Sequence, residues 1–197
     1  MTELFREMKN FVKQALFEAG SHGFDHTLRV VSLCEIIGEA EQAEMEILIP
    51  AAIFHDIARP LERKTGISHE IKGAEMTEEF LTGISYGEER ILRIVHAIKA
   101  HRFSTALVPE TLEAKILSDA DKLDAMGAVG IARTFISAGE HGGDITDGLE
   151  HMYEKLLRLS DMMYTRTGKE MAERRHTFLV AFVQALEEER GMEERGG

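Results

Sequence analysis

Residues 47–58 read Ile-Leu-Ile-Pro-Ala-Ala-Ile-Phe-His-Asp-Ile-Ala. Their reading decides the fold. A run that otherwise belongs in a protein core ends in His55-Asp56, and burying an imidazole or a carboxylate without a partner is expensive. A metal ion is the natural partner for both groups, provided that other parts of the chain supply the remaining ligands.

Outward from this stretch, nearly every segment has helical period. Leu4, Phe5, Met8, Phe11, Val12, Ala15 and Leu16 outline a first amphipathic helix, which the Gly20-Ser21-His22-Gly23 turn should end. A second runs from about Asp25 to Ala40, with Val30, Leu33 and Ile37 on one face. The helix of the opening stretch ends at His55-Asp56, and Pro60 closes it. Ser68 caps a fourth to about Leu81. Ser85 with Glu88 three residues on forms a capping box for a fifth, through Ile91, Ile94, Ile98 and His101. The sixth starts near Pro109 and passes through Ile116, Leu117 and Asp121. Gly127 and Gly130 loosen the next stretch, and Gly139 to Gly148 reads as a surface loop. Two long amphipathic helices follow, one from Leu149 to Met163 and one from Met171 to Leu186, and Glu187 to Arg190 should fray into solvent. Alternating strands, hairpin signals and internal repeats are absent. The expectation is an all-α, single-domain helical fold over 1–197. Its core lies at about 22–137, and the C-terminal helices, at about 148–190, pack on it.

Composition narrows the function classes. Hydrophobic residues make up 44% and charged ones 29%, a soluble globular balance. No apolar run approaches the roughly 20 residues that span a membrane, and the first residues lack the apolar core of a signal peptide. A cytoplasmic protein with no membrane partner is expected. The single Cys34 excludes a Cys-cluster zinc site, so a metal would be held by His and carboxylates. The net charge of −12 argues against general nucleic-acid binding, which needs Lys and Arg along the backbone. A small phosphorylated substrate remains compatible, because a bound divalent cation inverts the local field.

Three helices direct ligand-type side chains inward. His26 shares a stripe with Val30, Leu33 and Ile37; His55 with Leu48, Ala51 and Ala52; and Asp121 with Ala114, Leu117 and Ala125. Asp56 adds a fourth. One inward histidine is more often a hydrogen-bonded core residue than a ligand. Four such groups together favour an ion in the helix-bundle core, and two imidazoles with two carboxylates suit Mn, Mg, Co, Ni, Zn or Fe while leaving open positions for hydrolytic chemistry.

The ordered set His26, His55-Asp56 and Asp121 resembles the HD superfamily of metal-dependent phosphohydrolases. The likeness extends to Gly23-Phe24-Asp25-His26-Thr27-Leu28-Arg29-Val30, to Asp119 through Arg133, and to the Glu154-Lys155-Leu156-Leu157 and Glu173-Arg174-Arg175-His176 stretches. It is closest to a small single-domain bacterial and archaeal branch, some members of which act on nucleoside triphosphates. Asp119 and Asp124 compete with Asp121 for the ligand role; around a helix they lie about 200° and about 60° from it. The family pattern, in which a basic residue follows the ligand, maps onto Asp121-Lys122. That leaves Asp119 and Asp124 as supporting or solvated helix residues. The resemblance also makes Lys122 a phosphate contact with a catalytic part. Arg29, one turn after His26, Arg133 and His96 complete the substrate-binding set.

His69 and His101 also look inward, with Gly73, Met76 and Phe80 and with Ile94 and Ile98 respectively. In two-metal relatives such positions supply a second ion. One metal is favoured here, with His69 and His101 as proton-transfer or substrate residues, and a second metal is the lesser alternative. His22, His141, His151 and His176 carry no constraint, except that His22 can face the mouth of the cleft. The expected function is hydrolysis of a nucleotide or related phosphate ester or anhydride, as a triphosphate pyrophosphohydrolase or a phosphomonoesterase or phosphodiesterase. The rivals are a diiron oxygenase and a metal-bound ligand sensor with little turnover. Whether the C-terminal helices pack on the core or make a homodimer stays open.

Overall fold

The computed structural model describes residues 2–16, 23–102 and 107–195. The expected 20–23 turn, and His22 with it, lies outside the described residues but for Gly23. No strand occurs among the described residues, as expected. The chain divides into two units, 1–121 and 122–197.

The first unit is assembled on the opening stretch. Helices α1 (Thr2–Ala15), α2 (Phe24–Glu41), α3 (Met45–Phe54), α4 (Arg59–Thr65), α5 (His69–Gly83) and α6 (Glu88–Ala100) precede α7 (Leu112–Asp124), which runs across the division. Every residue of α3 from Ile47 to Phe54 is buried. A helix apolar on all faces has no side to give to water and so becomes the centre: α1, α2, α5 and α6 all pack on it. Phe54 meets Phe11 of α1 and Phe80 of α5 at ring-centroid distances of 6.2 and 5.2 Å. At Gly38 a Cβ would stand 2.6 Å from Leu48, so glycine lets α2 lie close against α3.

Pro50 inside α3 has no N–H to give the Glu46 carbonyl four residues back. That acceptor is filled from outside the helix by the Tyr86 hydroxyl, at 2.7 Å. The loop before α6 delivers Tyr86, with Ser85 at φ 55° and Gly87 at φ 105°. The expected Ser85 and Glu88 capping box is therefore absent: Gly87 holds the N-cap position and makes no side-chain cap. Pro60 likewise does not close the third helix. It stands in the first turn of α4, where a missing N–H costs nothing. α7 begins at Leu112 rather than near Pro109, with the Thr111 hydroxyl accepting from the Ala114 N–H at 3.2 Å.

The second unit contains α8 (Gly127–Glu140), α9 (Ile145–Glu154), a 3-10 helix (Leu156–Met162) and α10 (Arg166–Arg195). Four expectations need correction here. Gly127 and Gly130 begin a regular helix, and at Gly130 a Cβ would lie 2.1 Å from the Ala125 carbonyl oxygen, so the glycine serves close backbone approach. The surface loop shrinks to residues 141–144, because Asp144 caps α9 by accepting from the Thr146 N–H at 2.6 Å, with Asp147 returning the bond as a capping box. The 149–163 helix breaks after Glu154 into the 3-10 segment. Residues 187–190 stay helical instead of fraying: Glu187 accepts from the Tyr153 hydroxyl at 2.7 Å, and Arg190 donates to the Thr146 hydroxyl at 3.0 Å.

Candidate metal centre

Within the first unit the histidines and aspartates converge from helix ends rather than from mid-helix stripes. His26 lies in the first turn of α2, His55 is the C-cap of α3, and Asp56 sits in the turn that follows. His69 opens α5, His101 is the C-cap of α6, and Asp121 lies in the last turn of α7. Short polar turns can sit inside the core only if their backbone groups are satisfied. Here Ile57 N–H donates to Phe54 O and Arg59 N–H to Asp56 O, both at 3.0 Å. The Ser118 hydroxyl of α7 holds the His101 carbonyl at 3.1 Å.

Asp56 is the hub, and its side chain is 1% exposed. Its Oδ2 faces His26 Nε2 at 3.5 Å and His55 Nε2 at 3.8 Å. Its Oδ1 faces His69 Nε2 at 3.2 Å and His101 Nε2 at 3.7 Å. His26 Nε2 also stands 3.2 Å from His55 Nε2 and 3.4 Å from Asp121 Oδ1. The ligand atoms of His26, His55 and Asp56 lie within 4.8 Å of one another, as do those of Asp56, His69 and His101.

The proton positions of three rings follow from their partners. His55 Nδ1 meets the Ala52 carbonyl at 2.8 Å, His101 Nδ1 the Ile98 carbonyl at 2.6 Å, and His69 Nδ1 the Glu62 carboxylate at 2.9 Å. A carbonyl or a carboxylate can only accept, so each Nδ1 carries a proton, and each Nε2 faces the centre, where the neutral ring offers a lone pair. This is the orientation that metal-ligating histidines adopt. His69 Nε2 and His101 Nε2 are buried with no hydrogen-bond partner, which is costly unless something else satisfies them. The donor set and these orphaned atoms fit a divalent cation.

The electrostatics differ from group to group. Burial pushes the His55 pKa down to about 4, leaving it neutral and able to ligate at physiological pH. Burial acts in the same sense on His101, but the facing Asp56 and Asp121 carboxylates overcome it and raise that pKa. Burial works against the Asp121 carboxylate, yet the His26 bond and the other imidazoles hold its pKa well below the usual range. Cys34 is buried, and burial raises its pKa, which makes it an inert thiol.

The other residues singled out in the sequence have these surroundings. Arg29 is half-buried one turn along α2. His96 on α6 accepts from the Glu110 N–H at 3.1 Å. Asp119 is buried in α7. In the second unit Lys122, 4% exposed, stacks over the Tyr164 ring at 4.6 Å, and Arg133 grips Asp124 at 2.5 Å. His141 donates to Ser137 O at 2.7 Å, His151 is exposed on α9, and His176 meets the Ser160 hydroxyl at 3.4 Å.

A layer behind Asp56 escaped the sequence reading. Arg59 donates from Nε to Asp56 Oδ1 at 2.9 Å and from Nη1 to Glu62 Oε2 at 3.3 Å. Arg102 reaches Glu62 Oε1 at 3.1 Å and Glu70 Oε2 at 3.4 Å. The available signal was the three-residue spacing Asp56, Arg59, Glu62, which places the groups on one side of a helical turn.

Comparison with known proteins bears on the same residues. The HD domain family model matches residues 23–126. The chain is 38% identical to the uncharacterized protein YpgQ of Bacillus subtilis over 87% of its own length and 86% of the relative's. The crystal structure of YpgQ in complex with ADP superposes with TM-score 0.78 at 35% identity, covering 94% of this chain and 97% of that one. The crystal structure of a predicted HD superfamily hydrolase from an uncultured Thermotogales bacterium gives TM-score 0.74 at 33% identity, covering 93% and 91%. Among the described residues no helix is long and apolar enough to cross a membrane.

Proposed function

The chain belongs to the HD domain family and is an HD-type metal-dependent hydrolase, and from that premise we propose that it hydrolyses a nucleotide or related phosphate ester or anhydride at one divalent ion. The observation that carries the proposal is the convergence of His26, His55 and Asp56 in one buried group, with Asp121 3.4 Å from His26. His26, His55, Asp56 and Asp121 would hold the ion, drawn from Mn, Mg, Co, Ni, Zn or Fe. When bound, the ion supplies Lewis-acid polarisation of a phosphoryl oxygen and a lowered pKa for water. The nucleotide class is supported by the ADP complex of the YpgQ relative.

The chain's own groups do the rest. His69 and His101 are assigned to proton movement, each at Nε2, because Nδ1 is committed to Glu62 or to Ile98 O. Lys122 and Arg29 are assigned to phosphate charge. Arg133, bonded through Nη1 to Asp124, and His96, whose Nε2 accepts from the Glu110 N–H, are assigned to the same role.

A panel of nucleoside mono-, di- and triphosphates, incubated with divalent ions while phosphate and pyrophosphate are read separately, tests this reading. Ion-dependent release of either is expected, and which one appears fixes the bond cut. Oxygen uptake with two irons and no phosphate release would instead establish the diiron alternative.

A further inference from the structure

The Asp56 carboxylate presents one oxygen to each of two groups of imidazoles, and the second group, His69 and His101, has the makings of a second ion site: two buried Nε2 atoms with no hydrogen-bond partner, aimed at Oδ1. Yet the same Oδ1 already receives the Arg59 guanidinium at 2.9 Å. Building on the metal-centre reading above, we infer that Arg59 is the centre's second cation, a fixed charge that holds the site to one metal ion.

Arg59 is fastened in place. Its Nη1 bonds Glu62 Oε2, which also fixes His69 Nδ1, and α4 begins at Arg59 itself, so the guanidinium cannot swing away without loosening His69. Its side chain is 19% exposed, so solvent screens it only partly. A divalent ion shared by Oδ1, His69 and His101 would sit within a few ångströms of this permanent positive charge. Guanidinium, unlike ammonium, does not escape the conflict by losing its proton. The charge on Asp56 that a second ion would balance is thereby already balanced by the chain.

The test reads ion stoichiometry, independently of turnover. Metal-free protein is saturated with Mn²⁺, freed of loosely held ion, and its manganese per chain is measured. Wild type should hold one ion and Arg59→Gln two. Adding His101→Ala to Arg59→Gln should return the count to one, placing the extra ion at His69 and His101. Arg59→Met, which keeps the apolar stem, stands in if the glutamine variant does not fold. Two ions in wild type, or one in both uncharged variants, would overturn the inference. A wild-type chain that binds none would sink the metal-centre reading itself, and this inference with it.

Discussion

His55 has the ordinary imidazole pKa of about 6.5 when unfolded and about 4 when folded, because burial disfavours its charged form. Acid therefore favours the unfolded chain. The contribution is fully present above pH 6.5 and is lost as pH falls through 4, amounting to about 3 kcal/mol across that window. Denaturant unfolding of metal-free wild type and His55→Leu at pH 7 and pH 4 should show a loss smaller in the variant by about that amount. Equal losses would show that His55 is not the buried neutral imidazole described. At this scale the ligands were legible in the sequence because His26, His55, Asp56 and Asp121 are chemically unusual beside apolar neighbours. Arg59 and Glu62 were not, since an arginine and a glutamate three residues apart are what any exposed helix carries. Only the turn at 55–58, which brings α4 up beside Asp56, gives them a role.

At the scale of elements, α3 was legible because a helix without a polar face has one place to go. Its proline was not explained by the sequence: the acceptor that Pro50 leaves open is closed by Tyr86, forty residues from Glu46 in the chain. Removing that hydroxyl by Tyr86→Phe should cost about 1–2 kcal/mol in denaturant unfolding, the range for stranding a partly buried acceptor. An unchanged midpoint would mean that water serves the Glu46 carbonyl equally well. Helix boundaries were the least legible feature, for a common reason. Pro60, Gly130 and Asp144 each act on the element that begins beside them or the backbone that crosses them, and the direction of a turn signal is set by tertiary contacts rather than by the residue itself.

For the whole molecule, the proposed anionic substrate would have to be met, in a chain of net charge −12, by positive charge local to the centre. Ion binding should then couple to stability. At about 100 times its Kd a divalent ion adds about 2.7 kcal/mol, raising Tm by roughly 5–10 °C for a chain of this size. An unchanged Tm in wild type under saturating ion would contradict a native centre. The reading of 1–197 as one domain predicts a single cooperative transition in the same melt, and two separated transitions would contradict it. The most direct test of the central claim is Asp56→Ala, assayed together for bound ion and for phosphate or pyrophosphate release with circular dichroism as the fold control. Loss of both ion and turnover with helical signal retained is the predicted result; wild-type turnover in that variant would contradict it.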